Sequence, residues 1–538
     1  MDPPQNYSVV PPDAPDHEPA HNARVSEPYK ALVPKLDPTV PANVRPHSRD
    51  VLTDIEDRPF FDYNGWQTFV GLIWPADPNM RGVPDATVTA ENFAKFNTGE
   101  GETTPVVFET LLSSDTLFPS AADAASIPEQ PPEWFSTTYS RPFDLTATSK
   151  AGALDEAFSN PLIDQNQQYV RYSVQVNRVF YEFIRQNGYY WKGNLPKSPS
   201  PVGIPPLDVS MAASDPKTEM PVVPLTQILQ PQTNTTVIQP VNGNSITLKT
   251  AWRIMIEDDD PDRPWRKRDD LSRYYTAMAH VQNAVTGERE EKLVGLVGMH
   301  VVVRTTQFPQ GLWSTFGHVD NLVTPPGGRA SFKSDDSFYP SGFSYAPDAS
   351  VFYPETARTP VEVSRIWKIP ETPVAAPSNL PHGASTVGLN QSYKELFAGT
   401  VWQYYQLEVT QWPTDPGVFY ASPFLYPRGL GERPDPSQPP AVHQAYERAR
   451  ANAAAAYPRW SGLPIPQVGA LNPVMETYFQ NPPYAQPLEN TSCMGCHYGA
   501  SDLGYVWVFK LGAWPPPYNQ GRVNPEDSVK AAMPANTE

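Results

Sequence analysis

The stretch LVGLVGMHVVVR, Leu293 to Arg304, decides the fold. It is apolar on both faces, as a central strand covered on both sides must be, and His300 is its one polar side chain before Arg304. Just upstream, Tyr274 to Val285 reads as a second strand, joined to the first by a turn around Thr286, Gly287 and Glu288. Ile246 to Ile256 (ITLKTAWRIMI) alternates as a third strand, and Val401 to Trp412 (VWQYYQLEVTQW) reads as an aromatic fourth. Together they predict a β-rich body.

Helical spacing flanks it. Trp66, Phe69, Val70 and Ile73 recur on one face between Phe60 and Trp74. Between Gln167 and Asn187 a stripe of Tyr169, Tyr172, Val176, Val179, Phe180, Phe183 and Ile184 predicts a longer helix, with Gly188 placed to cap it. An alanine-rich helix is expected over Ala441 to Tyr457. Proline-rich insertions separate these elements, at roughly 193–243, 324–398 and 413–440. The expected class is α+β: a β-rich body with flanking helices, long proline-rich insertions and a C-terminal cofactor segment. Four regions follow: an extended proline-rich arm (1–55), a helical region (56–192), the β-rich body (193–440) and a C-terminal region (441–538).

Composition narrows the function. The 538 residues include 65 prolines and carry a net charge of −18. Hydrophobic residues at 39% suffice for a core, so global disorder is excluded. An acidic chain without a lysine or arginine run is a poor match for nucleic acid. The two cysteines rule out a disulfide framework and a four-thiolate zinc site. No apolar run reaches the roughly 18 residues of a membrane span.

Both cysteines fall in one pentapeptide, Cys493-Met494-Gly495-Cys496-His497. C-x-x-C-H is the attachment signature of a c-type haem: the thiols bond the two vinyl groups of one porphyrin edge, and the adjacent imidazole reaches the iron. Asn490, Thr491 and Ser492 are capping residues, so the motif is expected to open a short helix. A dithiol redox site fits poorly, because too little chain follows for a thioredoxin-like unit. A zinc site drawing on a distant histidine is the weaker alternative. The reading is therefore one covalent haem c, with Cys493 and Cys496 as thioether donors and His497 as the proximal iron ligand.

A second axial ligand is not evident downstream, where the segment holds no histidine and only Met533. Upstream, His318 and His300 are level candidates for the distal ligand, ahead of Met475. His318 is flanked by polar Asp320 and Asn321, which could orient its ring. His280, His382 and His443 are outsiders. Arg253 and Arg304 could meet haem propionates, although ordinary strand charges explain them better. Asp258, Asp260, Asp262 and Asp269 have calcium-loop spacing, but Arg263 stands where the loop needs glycine and Pro264 follows, so a solvated acidic turn is expected.

The blocks WQTFVGLIWP (66–75), LVGLVGMHVV (293–302), LWSTFGHVDN (312–321), VWQYYQLEVTQWP (401–413) and NPVMETYFQ followed by TSCMGCH (472–480, 491–497) resemble a family of large bacterial proteins labelled cytochrome c family. The resemblance spans most of the chain from about residue 60. It implies a single covalent haem near the C-terminus and an exported, periplasmic protein, and brings no established activity or substrate. The first residues, MDPPQNYSVVPPDAPDHEP, show neither the basic nor the apolar part of a secretory signal, so periplasmic placement requires a signal removed or omitted.

Two functions follow from the motif. One is electron transfer through a six-coordinate haem to a redox partner protein, with the acidic surface steering a basic partner. The other is a haem-dependent oxidoreductase, peroxidase- or oxygenase-like, with an open iron position; the length of the chain and its aromatic strands favour it.

Overall fold

The computed structural model describes residues 29, 32–41, 43–44, 54–99, 103–118, 131–134, 139–146, 162–186, 189–190, 244–283, 285–305, 308, 311–333, 355–361, 363, 369–371, 380–413, 464–465, 472–475, 493 and 497. Among them, nine strands form one sheet: β1 (Leu112–Ser113), β2 (Phe143–Leu145), β3 (Arg171–Val176), β4 (Ser245–Ile254), β5 (Thr276–Gln282), β6 (Arg289–Arg304), β7 (Leu312–His318), β8 (Tyr405–Pro413) and β9 (Pro464–Ile465). The main path runs β1-β3-β4-β6-β7-β8-β9, all neighbours antiparallel. The 16-residue β6 is its spine. One edge pairs with β4; the other pairs with β5 along its first half and β7 along its second. β2 adds to β5 in parallel.

The expected central strand, its hairpin partner and Ile246 to Ile256 therefore appear as β6, β5 and β4. Val401 to Trp412 is divided: a 3-10 turn at Val401–Tyr404, capped by Thr400 Oγ1 on the Trp402 N–H at 3.3 Å, precedes β8.

The helix expected over Gln167 to Asn187 is corrected. Its first half, RYSVQV, is β3, in register with β4 from Arg171 opposite Trp252 to Val176 opposite Thr247. Asn177 ends the strand and starts a shorter helix, α2 (Arg178–Gln186). Its Oδ1 accepts the N–H groups of Phe180 (3.1 Å) and Ile246 (3.0 Å), so one side chain caps the helix and ties it to β4. The insertion at 324–398 also holds an unforeseen helix, α3 (Thr386–Leu396), capped by Ser385 on the Gly388 N–H.

Phe60 to Trp74 does belong to a helix, α1 (Asp54–Ile73). It crosses the inner face of the sheet against β7 and β8 and packs beside α3. Trp66 stacks on Tyr393 at 4.6 Å and donates its indole N–H to Asn390 Oδ1; Phe69 stacks on Phe316 at 4.3 Å. Asp62, Gln67 and Thr68 are buried as deeply as the apolar residues. Thr386 donates its hydroxyl to Asp62 and the Tyr393 hydroxyl donates to Gln67, so α1 is tied to α3 through polar groups inside the core.

The inner core joins α1, α2, α3 and the inward residues of β4, β6, β7 and β8. The first region contributes to it, since Tyr29, Leu32, Val40 and Val44 are buried there. A second cluster covers the outer face, with Tyr172, Ala251, Met255, Val297, Val474 and Met475. The boundaries expected at 192 and 440 thus cut through one sheet: β3 pairs with β4, and β8 pairs with β9. Among the described residues no helix is long and apolar enough to cross a membrane. The helix expected over Ala441 to Tyr457 lies outside the described residues.

Candidate cofactor site

Along the second half of β6 the side chains alternate. Met299, Val301 and Val303 enter the inner core, so Gly298, His300 and Val302 present themselves to the outer face. β7 supplies the row beside them: Gly317 opposite Gly298, Thr315 opposite His300, Trp313 opposite Val302. β4 supplies the other: Ala251, Lys249 and Thr247. His300 therefore stands mid-face with Thr315 and Lys249 on either side, and it is half-buried.

The lower end of this face receives the cysteine motif. Cys493 packs against the cross-strand pair Val302 and Trp313. The His497 imidazole lies on the Trp313 indole, ring centroids 4.5 Å apart. The expected capping residues Asn490, Thr491 and Ser492 lie outside the described residues, and Cys493 and His497 are each helical and half-buried. Their four-residue separation is the spacing that places side chains on one helix face, and their shared platform on Trp313 shows that they face the same way. Gly311 makes room for the platform: at φ +98° it takes a conformation that suits glycine, and a Cβ there would stand 2.9 Å from Val302 and 3.1 Å from the Trp313 indole nitrogen. Cys496 lies outside the described residues.

The upper end is filled by Asn472 to Met475. Asn472 donates its amide to Thr315 Oγ1 and the Phe316 carbonyl, both at 2.9 Å, and accepts the Val474 N–H. Tyr172 donates its hydroxyl to the Val474 carbonyl. Met475, fully buried, presses its sulfur on Gly298, where a Cβ would come within 3.2 Å. It is a core methionine, held in place by a bonded turn.

His318 is corrected as a ligand candidate. Its Nδ1 accepts the Asp320 N–H at 3.1 Å and its Nε2 reaches the Arg273 carbonyl at 3.0 Å, which fixes the proton on Nε2. The ring stacks on Tyr274 at 4.0 Å and meets Tyr405 edge-on. Burial holds its pKa down to about 4. Neither nitrogen is left for iron. His280 and His382 stand beside the carboxylates of Glu291 and Glu395, and His443 lies outside the described residues.

Arg253 does not serve a propionate. Buried, it bridges Asp164 at 3.0 Å and Asp269 at 2.5 Å. Asp269, the last residue of the calcium-like spacing, points inward to that guanidinium and to the Ile256 N–H. Asp259 and Asp260 accept the N–H groups of Arg268 and Asp262. The acidic turn closes on itself. Arg304, buried at the end of β6, lies over Phe180 with Thr247 Oγ1 at 3.5 Å.

Among the described residues no three His, Cys, Asp or Glu side chains converge as a metal site. A c-type haem does not ask for one, because a single imidazole and two thiols hold it. Of these donors the described residues place one thiol, Cys493, and one imidazole, His497, against Val302 and the Trp313 indole. Trp313 is the residue that sequence reasoning missed as part of the site. Comparison of the chain with family models, with curated proteins and with solved structures gives no match.

Proposed function

We propose that the chain is a c-type cytochrome that carries one covalent haem c and works in electron transfer. Cys493 and Cys496 are the thioether donors and His497 the proximal ligand. Each thiol would hold one vinyl carbon of the group through a thioether bond. When bound, the group supplies a reversible one-electron change at its iron. The chain would hold the group through these residues, with Cys493 packed on Val302 and Trp313 and the His497 ring beside Trp313.

The observation that carries the reading is that both cysteines of the chain stand in C-x-x-C-H while Cys493 and His497 converge on Trp313. A net charge of −18 suits a basic redox partner. A periplasmic location belongs to the same reading, because the family that the sequence blocks resemble is exported. The test is expression with an added export signal in a host that matures c-type cytochromes, followed by haem staining of a denaturing gel and reaction of the reduced protein with carbon monoxide. An electron carrier stains and leaves carbon monoxide unbound. A stained protein that binds it readily is the oxidoreductase with an open iron position instead.

A further inference from the structure

We infer that Tyr275 is a redox-active tyrosine: it gives one electron to a small oxidising radical that meets the protein surface, and its phenolic proton passes to Glu109. Neither the cysteine motif nor a haem takes part, so this redox site is independent of the reading above. Tyr275 precedes β5 and is fully buried, and Glu109, in the 3-10 turn Val107–Thr110, is buried beside it. The phenol donates to Glu109 Oε2 and accepts the Nη2 hydrogen of Arg141 at 2.9 Å. Arg141 also forks onto the carboxylate, Nε on Oε1 at 2.7 Å and Nη2 on Oε2 at 2.9 Å.

An oxidised phenol is a strong acid, so a buried tyrosine that loses an electron needs a proton acceptor within hydrogen-bond reach. Glu109 is that acceptor. Four other buried phenols bond neutral oxygens instead: Tyr172 the Val474 carbonyl, Tyr274 the Ser331 hydroxyl, Tyr393 the Gln67 amide and Tyr405 the Leu296 carbonyl. Burial, and then the Glu109 charge, push the Tyr275 pKa well above its ordinary value, so the phenol keeps its proton until the electron leaves. The step balances: phenol, carboxylate and radical become phenoxyl, carboxylic acid and the radical's anion. On reduction the proton returns from Glu109.

A row of rings leads the electron out. Trp402 stacks on Tyr275 at 4.9 Å and meets Tyr405 at 5.4 Å. Tyr405 meets the His318 ring edge-on at 4.9 Å, and the half-buried Tyr404 lies 6.3 Å from that same ring, under the Arg273 guanidinium. Oxidation that enters at the half-buried end comes to rest at Tyr275, the ring with a carboxylate to take its proton.

The test is flash oxidation of the full-length chain by photogenerated ruthenium(III) tris-bipyridine, followed by freezing and electron paramagnetic resonance. The parent is expected to show a long-lived phenoxyl signal that forms more slowly in heavy water. Tyr275→Phe and Glu109→Gln lose it, while Tyr393→Phe, at a phenol without a carboxylate, keeps it. A variant that unfolds would also lose it, so circular dichroism checks each one. Meta-fluorotyrosine put in place of Tyr275 keeps the phenol and its partners, and its fluorine splits the signal. An unsplit signal from that folded chain overturns the assignment. So does a parent without the long-lived signal, or a Tyr275→Phe or Glu109→Gln chain that retains it.

Discussion

The indole of Trp313 and the imidazole of His497 meet at 4.5 Å with their planes tilted by 56°, across the gap between β7 and the cysteine motif. Trp313 is almost fully buried, so it serves as a fixed platform. Trp313→Ala is expected to cost about 3–5 kcal/mol, the range for truncating a buried aromatic residue. It should also lower the yield of haem-loaded chain, because His497 loses its orientation. Urea unfolding and the ratio of haem to protein measure the two effects; an unchanged ratio would remove Trp313 from the site.

The buried His318 makes stability depend on pH. The folded protein keeps it neutral down to about 4, while an unfolded histidine takes its proton near 6.5. Below pH 6.5 the unfolded chain gains a proton that the folded chain refuses, so stability falls with pH until the folded group titrates. The slope is at most about 1.4 kcal/mol per pH unit, or about 3 kcal/mol across the window. His318→Gln should flatten that part of the profile in urea unfolding between pH 7 and 4. An undiminished slope would assign it to other groups.

Arg253 neutralises Asp164, which is fully buried, and Asp269. Arg253→Met should cost about 3–5 kcal/mol, since it leaves buried carboxylates without their cation. Adding Asp164→Asn should recover part of the loss, and guanidinium unfolding of the single and double variants checks it. Equal losses for the single and double variants would mean that the ion pair is not the cause.

Gly298 is where the sheet accepts the Asn472–Met475 turn. A Cβ there would stand 2.9 Å from Val474 and 3.2 Å from the Met475 sulfur. Gly298→Ala should cost about 1–3 kcal/mol through overpacking. The penalty should shrink in a Met475→Ala background, where the space is already open, and a double-mutant cycle reads the coupling. Additive effects would place the strain elsewhere.

The central hairpin and β4 were legible because their apolar pattern runs long enough to leave one period. β3 and α2 were not, because RYSVQVNRVFYEF carries apolar residues that satisfy a helical stripe throughout. Only Asn177, bonded to both Phe180 and Ile246, separates strand from helix. His318 drew attention through its polar neighbours, yet the backbone of one of them, Asp320, is what occupies its ring. Trp313 carried no local signal: its role comes from lying opposite Val302 in a pairing that only the folded sheet makes. The motif at 493–497 needed no fold to be read, and the fold adds what it faces.

The most direct measurement is the intact mass of the full-length chain matured with an added export signal. The account predicts the mass of the polypeptide plus one haem, with the covalent link lost when Cys493 and Cys496 are both replaced by alanine. A chain recovered at the mass of the polypeptide alone, from a host that loads a control c-type cytochrome in the same preparation, would contradict it.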